Sequence, residues 1–521
     1  MAKEIFFGED RICAVIAART SREMWRQLCH ALRHTRTLEL RLDWLENGRE
    51  LQNFLVRLGR AKFSRNVALI ATCRRTEAGG RFPKSVTAQL ALLHRAIAVG
   101  CRWIDLEIES VEAGSAFTRN LCTAGARRIL SFHDFAGTPK KSELPRPSRK
   151  LERTMRTAGF DVLKIATRCD SLRESLRVLE LARGKQNVIA VPMGEIAAPA
   201  RLLALREGSA LAYAPLDVAT APGQVPLAAM KELYRAGKLD RRTRVYGVIG
   251  DPIAHSLSPV LHNVGFAARR VNAVYLPFLV RDLNDFIAAI APLGIQGFSV
   301  TLPYKQSILR HLDDCDALAA EIGAVNTVVV RGRGKLFGYN TDYVGVLRAL
   351  ERRTPIAGSR VLIFGAGGAA RALAFALARG GASVSICARR PERAQRLARA
   401  IRGEAIPRAA LRHEFFDAIV NATPVGMHPQ AGDSPLQVRE LNCRLVFDAI
   451  YRPRQTKLLQ LAARRGIETV SGLEMFLAQG IAQWEIWMGE RAPEKAMRQA
   501  VVAVLKREEG TRGRKQGRGK K

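Results

Sequence analysis

The feature that most constrains the fold is a regular alternation, over the first 220 residues, of short apolar, β-branched runs with helix-like stretches. The apolar runs occupy residues 12–17, 38–42, 68–74, 103–108, 128–134, 162–168, 188–193 and 210–216. The helix-like stretches include residues 21–33, 86–99 and 171–183. Strands that alternate with helices pair in parallel, and eight such units predict a closed (β/α)8 TIM barrel. An open doubly wound sheet has the same periodicity and remains an alternative.

Polar residues interrupt these runs near the carboxyl ends of the predicted strands, where a parallel barrel places its chemistry. They include Glu39, Arg41, Asp43, Arg74, Asp105, Glu107, His133 and Asp134. Lys164 lies inside an aliphatic strand, and a desolvated lysine becomes a nucleophile for carbonyls. We therefore predict a Schiff-base lysine and an acid/base histidine. A structural ion pair for Lys164 and a core imidazole for His133 remain alternatives.

Four segments of this half resemble the motifs of type I 3-dehydroquinate dehydratase: TLELRLD at 37–43, SFHDF at 131–135, LKI at 163–165 and APGQ at 221–224. The resemblance implies that Lys164 forms an imine with the C3 ketone of the substrate. His133 would take the C2 proton and protonate the departing C1 hydroxyl. The residues expected to hold the substrate are Glu39, Arg41, Arg74, Arg201, Thr220 and Gln224.

Two positions depart from that family's pattern. Thr220 stands where a serine is usual, and it keeps the hydroxyl. Ala78 stands where an acid usually precedes the Gly-Gly pair, with Glu77 one residue earlier. The second departure leaves the substrate-side role of that acid open.

The second half contains a dinucleotide fingerprint in which an apolar strand runs into a glycine-rich turn and then a helix. The turn comprises Gly365, Ala366, Gly367, Gly368 and Ala369. Glycines allow the tight turn and bring backbone N–H groups and the helix N-terminus to a pyrophosphate. After the next strand come Arg389 and Arg390 instead of an acid, which favours the 2′-phosphate of NADP. Surface arginines without a role are the alternative.

Seven further segments resemble shikimate dehydrogenase: AHSLSP at 254–259, FSVTLPYK at 298–305, GAVNT at 323–327, YNTD at 339–342, VNATPVG at 420–426, FDAIY at 447–451 and GLEMFLAQ at 472–479. The resemblance implies a catalytic pair, Lys305 and Asp342. The residues expected to bind substrate are Ser256, Ser258, Thr301, Asn326, Tyr451 and Gln479, and those expected beside the cofactor are Asn421, Thr423 and Met475. Tyr343 stands where many relatives carry glycine.

These patterns predict an α/β protein of two modules. The barrel is expected at 1–238 and a two-lobed shikimate dehydrogenase-like module at 243–510. In the second module, 243–348 and about 472–505 would form the substrate lobe, and 349–471 the NADP-binding Rossmann lobe. The expected function is dehydration of 3-dehydroquinate followed by NADPH-dependent reduction of 3-dehydroshikimate to shikimate. A quinate dehydrogenase activity in the second half is the main alternative, and decay of one half to a scaffold is another.

The formal net charge of +35 is the one unusual bulk property. Basic surfaces attract nucleic acids, but the arginines are spread along the chain without a recognition motif. We therefore expect no nucleic-acid partner for the enzyme, and a polyanion-related role only for a disordered basic tail at 511–521.

Other features of the chain set expectations for its surroundings. The absence of an apolar run of eighteen residues predicts no membrane span, and the start of the sequence does not resemble a secretory signal. Nine scattered cysteines without a Cys-x-x-Cys pair predict neither a metal site nor disulfides, and fit the reducing cytoplasm. The oligomeric state is not indicated.

Overall fold

The structure is a computed structural model that describes residues 10–113, 125–140, 145–216, 222–350, 353, 355–427 and 430–518. The chain divides into two compact units, residues 1–243 with 284–293, and residues 244–283 with 294–521. The predicted change of module between 238 and 243 falls next to this boundary, whereas 284–293 was predicted to lie in the second module. Within the described residues, no helix is long and apolar enough to cross a membrane.

The first unit alternates strands and helices from its start. Its strands are β1 (Ile12–Ile16), β2 (Thr37–Arg41), β3 (Ala68–Thr72), β4 (Trp103–Glu107), β5 (Arg127–Asp134), β6 (Val162–Arg168), β7 (Val188–Met193) and β8 (Ala212–Pro215). Its helices are α1 (Ser21–Ala31), α2 (Gly48–Arg60), α3 (Val86–Ala98), α4 (Ile108–Ala113), α5 (Pro145–Thr157), α6 (Leu172–Glu180) and α7 (Ala198–Leu203). Four helices begin after a side-chain N-cap, which satisfies a backbone N–H that the helix leaves without a partner: Thr20, Asn47, Ser85 and Ser171.

All eight strands are parallel and form a near-closed barrel. The ladder runs β7-β6-β5-β4-β3-β2-β1-β8. Its two ends are joined where the Ala210 N–H donates to the Val188 carbonyl at 2.8 Å and the Ala190 N–H donates to Ser209 Oγ at 3.0 Å. Buried inward-facing side chains such as Val15, Ile70 and Trp103 fill the interior. The predicted barrel is confirmed, and the open sheet is not adopted.

The second unit contains two six-stranded sheets. The first is built from β9 (Arg244–Gly250), β10 (Ala273–Leu279), β11 (Ile295–Val300), β12 (Asp314–Cys315), β13 (Thr327–Arg331) and β14 (Lys335–Tyr339), and the second from β15 (Arg360–Phe364), β16 (Ser383–Cys387), β17 (Glu404–Ala405), β18 (Phe416–Asn421), β19 (Cys443–Asp448) and β20 (Glu468–Ser471). Its helices are α8 (Ser258–Ala268), α10 (Ala317–Ile322), α11 (Asp342–Leu350), α12 (Gly368–Arg379), α13 (Pro391–Ala400), α14 (Lys457–Ala463), α15 (Leu473–Met488) and α16 (Glu494–Arg518). Helix α9 (Leu283–Leu293) belongs, except for its first residue, to the first unit.

The two sheets differ in strand direction. The first has the order β10-β9-β11-β13-β14-β12 and is mixed, because β13 runs antiparallel to both β11 and β14. The second is entirely parallel, in the order β17-β16-β15-β18-β19-β20. In chain order this is 3-2-1-4-5-6, the doubly wound arrangement that binds a dinucleotide where the strand order reverses. That point lies between the carboxyl ends of β15 and β18.

The C-terminal segment differs from its prediction. Helix α16 continues to Arg518, so the expected disordered tail at 511–521 is helical over 511–518, and 519–521 lie outside the described residues. Lysine, arginine and glutamine are good helix formers, and they follow directly on a helix that already buries Met497, Val501 and Leu505. Disorder was predicted from the glycines of this segment, although the segment continues the helix that precedes it.

Candidate active sites

The barrel holds a lysine among acids at its core. Lys164, in the middle of β6, is 5% exposed. Its Nζ donates to Asp105 Oδ2 at 2.8 Å and to Glu39 Oε1 at 3.3 Å. It also lies 4.0 Å from the centre of the Tyr213 ring, a distance at which a ring face attracts a cation. The ion pair left open for Lys164 is therefore present, at the position where a carbonyl nucleophile was expected.

Asp105 connects the lysine to the other site residues. Its Oδ1 accepts from Ser131 Oγ at 2.6 Å and from the Arg74 guanidinium at 3.1 Å. Burial tends to raise the pKa of Asp105, but the positive charges of Lys164 and Arg74 outweigh it and hold that pKa well below its usual range. The sequence analysis located Asp105 near the end of a predicted strand but did not include it among the catalytic or substrate-binding residues. Its alternation with Glu107 along an otherwise apolar strand was the available signal.

His133 lies at the end of β5, beside the Arg74 guanidinium. Burial lowers the pKa of His133 well below its ordinary value, and the charges of Arg74 and Lys164 lower it further. The imidazole is therefore neutral near pH 7 and can accept a proton. Its Nδ1 is buried and has no hydrogen-bond partner among the described residues.

Arg41 and Arg201, the other two arginines predicted for the barrel site, differ in whether a carboxylate balances their charge. Arg41 forms a two-pronged pair with Asp43 at 2.9 and 2.8 Å. Arg201, in α7, is 7% exposed, and its Nε donates to the Pro192 carbonyl at 2.8 Å. No carboxylate of the described residues forms an ion pair with Arg201, and burial lowers its pKa to about 10. A buried guanidinium without a counter-charge suits an anionic ligand.

The structure shows fewer contacts for the other residues that were predicted for the barrel site. Gln224 lies in the described loop before the π-helical turn Ala229–Leu233. Thr220 lies outside the described residues. Glu77 forms an ion pair with Arg75 at 2.9 Å and is largely exposed, while Ala78 is buried. In the structure Glu77 thus contacts Arg75, and the side chain at position 78 offers no carboxylate.

A second lysine–acid pair lies in the second unit, between a turn and the start of a helix. Lys305 Nζ donates to Asp342 Oδ2 at 2.6 Å. Asn326 Nδ2 donates to Asp342 Oδ1 at 2.9 Å, so both carboxylate oxygens have a donor. Lys305 lies in the turn after β11, and Asp342 begins α11. The side chain of Lys305 is 16% exposed and faces a cleft of about 1960 Å³.

Other predicted substrate residues line the same cleft: Ser256, Ser258, Thr301, Asn326, Tyr451 and Gln479. Ser258 is the first residue of α8, and Ser256 lies two residues before it. The Ser258 N–H donates to Ser256 Oγ at 3.2 Å, which places both hydroxyls at the N-terminus of this helix. A helix N-terminus favours an anion.

The opposite wall of the cleft carries the glycine-rich turn. All five residues from Gly365 to Ala369 line it. Gly365 has φ +126, and a Cβ there would lie 3.1 Å from the Ala422 carbonyl, so a larger residue is strained in this turn. Helix α12 begins within this segment, at Gly368. Its N-terminus presents backbone N–H groups to the cleft, as a pyrophosphate requires.

Arginines stand after β16, where an acid would hold a ribose. Arg389, Arg390 and Arg393 line the cleft and are exposed. Within the described ranges none of the three forms an ion pair with a carboxylate. This arrangement favours a phosphate over a ribose hydroxyl.

Two predicted cofactor neighbours line the cleft and one does not. Thr423 and Met475 line it. Asn421 is fully buried, which corrects its predicted position in the groove. Its amide donates to Asp448 Oδ1 at 3.0 Å, and its Oδ1 accepts from the Thr423 N–H and hydroxyl at 2.9 and 2.7 Å. Asn421 thus supports the Thr423 loop from beneath.

Comparisons with known families match both units. The family described as type I 3-dehydroquinase matches residues 12–240. The shikimate dehydrogenase substrate binding domain matches residues 248–328, and the shikimate 5′-dehydrogenase C-terminal domain matches residues 472–502.

Individual proteins show the same division. The chain is 33% identical, over 483 residues, to the chloroplastic bifunctional 3-dehydroquinate dehydratase/shikimate dehydrogenase of Arabidopsis thaliana, covering 88% of this chain and 78% of that protein. It is 43% identical to the shikimate dehydrogenase (NADP(+)) of Thermococcus kodakarensis, over 50% of this chain and 97% of that protein. A solved shikimate 5-dehydrogenase from Thermus thermophilus, in complex with NADP(H) and shikimate, is 35% identical over 50% of this chain and 99% of its own, with a TM-score of 0.46.

Proposed function

The chain belongs to the family of bifunctional 3-dehydroquinate dehydratases/shikimate dehydrogenases, and from this we infer how its residues carry out the two reactions. The barrel dehydrates 3-dehydroquinate, and the second unit reduces 3-dehydroshikimate to shikimate with NADPH. The observation that carries the assignment of residues is a pair of lysines that each donate to an aspartate, the buried Lys164 and the partly exposed Lys305.

In the dehydratase, the Lys164 ammonium first loses a proton to solvent, and the resulting amine adds to the C3 ketone and releases water to form an imine. The imine draws electrons from the adjacent C2–H bond, whose proton passes to the neutral His133. The C1–O bond then breaks, and His133 returns the proton to the departing hydroxyl, which leaves as water. Hydrolysis of the imine restores the Lys164 amine and frees 3-dehydroshikimate.

The substrate carboxylate is assigned to Arg201, because this guanidinium is buried without an acidic partner. Arg41 and Gln224 assist it. Glu39, Arg74 and Thr220 are assigned to the hydroxyls. Asp105 accepts a hydrogen bond from both Lys164 and Arg74 and so fixes their relative positions.

In the dehydrogenase, the Lys305 ammonium protonates the alkoxide that forms as the carbonyl is reduced, and Asp342 orients it. NADPH supplies the hydride when bound. Ser256 and Ser258 hold the substrate carboxylate at the N-terminus of α8. Thr301, Asn326, Tyr451 and Gln479 contact the ring hydroxyls, and Met475 packs beside the nicotinamide.

We propose that the turn from Gly365 to Ala369 holds the pyrophosphate of NADP, with Arg389 and Arg390 on its 2′-phosphate and Thr423 along the groove. Neither reaction is assigned a metal, because the iminium at Lys164 is the electron sink and Lys305 is the proton donor. We place the enzyme in the cytoplasm, in keeping with nine cysteines that lack a Cys-x-x-Cys pair.

The test is a one-vessel assay with 3-dehydroquinate and NADPH, in which NADPH oxidation is followed and the product is identified by mass. Lys164→Ala should stop oxidation with 3-dehydroquinate but not with 3-dehydroshikimate. Lys305→Ala should let 3-dehydroshikimate accumulate. Borohydride should add the mass of the reduced substrate adduct to the wild type and not to Lys164→Ala.

Two other products would change the assignment. Formation of quinate would mean that the second unit reduces 3-dehydroquinate directly. Full turnover by both lysine variants would overturn the proposed sites.

A further inference from the structure

A chain of buried polar side chains lies beneath the dehydrogenase site. The Tyr275 hydroxyl contacts Ser299 Oγ at 2.5 Å, and Ser299 Oγ contacts Gln483 Oε1 at 2.9 Å. Gln483 Nε2 contacts the backbone carbonyl of Asn326 at 3.2 Å. Tyr275, Ser299 and Gln483 are 0%, 5% and 1% exposed. None of the three belongs to the residues assigned to catalysis or substrate binding above.

The backbone carbonyl of Asn326, at the end of this series of hydrogen bonds, fixes the direction of every bond in the series. The Asn326 carbonyl can only accept, and it also accepts from the Val300 N–H at 2.8 Å. Gln483 must therefore present its NH2 group to Asn326 and its Oε1 to Ser299. Ser299 then has to donate to Gln483, so the Tyr275 hydroxyl has to donate to Ser299. The reverse orientation would set two acceptors against each other in a buried place.

The last residue of this series, Asn326, also contacts Asp342, the carboxylate that orients Lys305. Asn326 Oδ1 accepts from the Thr341 N–H at 2.8 Å, and its Nδ2 donates to Asp342. The Gln483 contact restrains the backbone of Asn326, whose side chain contacts Asp342. Ser299 and Gln483 also line the cleft, so this restraint reaches the cleft surface.

We propose that Gln483 is a positioning residue of the dehydrogenase, which fixes Asn326, and through it Asp342 and Lys305, by way of the directed chain from Tyr275 and Ser299. This inference rests on the proposed role of the Lys305–Asp342 pair. It assigns Gln483 no contact with the reacting atoms.

The titratable groups around Gln483 do not ionise in the neutral range. Tyr275 on β10 has its pKa raised by burial, and His262 on α8, stacked on Tyr275 at 4.4 Å between ring centres, has its pKa lowered by burial to about 3. Beyond Asn326 lie Asp342 and Lys305. A new ionisation introduced at position 483 would therefore be distinguishable in a pH profile.

The test is Gln483→Glu in the full-length enzyme, assayed with 3-dehydroshikimate and NADPH. An ionised carboxylate cannot donate to the Asn326 carbonyl, whereas a protonated carboxyl can. We expect kcat to fall at least tenfold at pH 8 and to recover toward the wild-type value as the pH is lowered. The KM for NADPH should change less than twofold. Gln296→Glu is the matched control, because exposed Gln296 also donates to a backbone carbonyl, that of Gly294, at 3.2 Å.

A second pair of variants covers the case in which Gln483→Glu does not fold. Ser299→Ala removes only a hydroxyl and should lower kcat at least threefold. Combined with Gln483→Leu, it should lower kcat no further than Gln483→Leu alone, because both changes break one chain. Additive losses, or a Gln483→Glu pH profile parallel to that of the wild type, would overturn the proposal. If Lys305→Ala were as active as the wild type, the proposed site itself would fail instead.

Discussion

At the scale of single residues, most charged side chains of the barrel site are paired with an opposite charge, whereas Arg201 has no carboxylate partner among the described residues. Lys164 and Arg74 face Asp105 and Glu39, so these four side chains bring no net charge into the interior. Among the described residues of the site, no carboxylate forms an ion pair with Arg201, and the substrate is an anion. The free enzyme thus pairs the charges of these four side chains and offers the Arg201 guanidinium to the ligand.

The depressed pKa of His133 predicts the acid limb of the dehydratase pH profile. The neutral imidazole is the active base, so activity should persist as the pH falls through 6.5 and decline only below it. Arg74→Gln removes one cause of the depression. We expect the acid limb of kcat/KM to move to higher pH in this variant. Arg75→Gln is the control, because Arg75 pairs with Glu77 and Glu107. An equal displacement in both variants would contradict this account.

The exposed arginines after β16 predict cofactor preference. Arg389→Ala should raise the KM for NADPH at least tenfold and change the KM for NADH little, because only NADPH carries the 2′-phosphate. Arg399→Ala, also exposed on the same lobe but away from the cleft, should change neither. Steady-state kinetics with both cofactors tests this, and equal losses for NADPH and NADH would contradict it.

At the scale of elements, close packing of α11 on α15 sets a steric limit. A Cβ on Gly345 of α11 would lie 2.8 Å from the Met475 backbone carbonyl, which cannot rotate away. Gly345→Ala should therefore cost about 1–3 kcal/mol of stability, although alanine is the better helix former by about 1 kcal/mol. The urea midpoint for loss of dehydrogenase activity measures this.

The control for that substitution is Gly48→Ala, at the start of α2, where a Cβ meets nothing within 4 Å. Its urea midpoint, followed by dehydratase activity, should not fall. An unchanged midpoint for Gly345→Ala would mean that α11 and α15 can move apart at no cost.

Elements were predictable from sequence where one local signal dominated. The runs at 162–168 and 188–193 coincide with β6 and β7, because a barrel strand is buried on both faces and is continuously apolar. The glycine-rich turn was predictable because its backbone demands glycine. Asp105 and Gln483 were not, since a polar residue inside a strand or helix gains its meaning from partners far along the chain. Asn421 was misplaced for the same reason: its partner Asp448 is 27 residues away.

At the scale of the whole molecule, the two reactions lie on separate compact units. Each lysine variant should therefore keep the other activity in full. A mixture of Lys164→Ala and Lys305→Ala proteins should convert 3-dehydroquinate to shikimate, because 3-dehydroshikimate can diffuse from one protein to the other. Dilution of the mixture should introduce a lag in NADPH oxidation that the wild type shows less. No turnover by the mixture would mean that the intermediate passes between sites only within one chain.

The boundary at residues 243 and 244 joins two reactions in a single translated product. Each ribosome that completes the chain makes one dehydratase and one dehydrogenase, so gene expression cannot alter their ratio. The balance between making and consuming the intermediate is left to the turnover number of each unit and to the supply of reduced cofactor. If the dehydrogenase were slower than the dehydratase, higher expression of the chain would raise both activities equally. Only substitutions that raise the turnover number of the dehydrogenase unit would restore the balance.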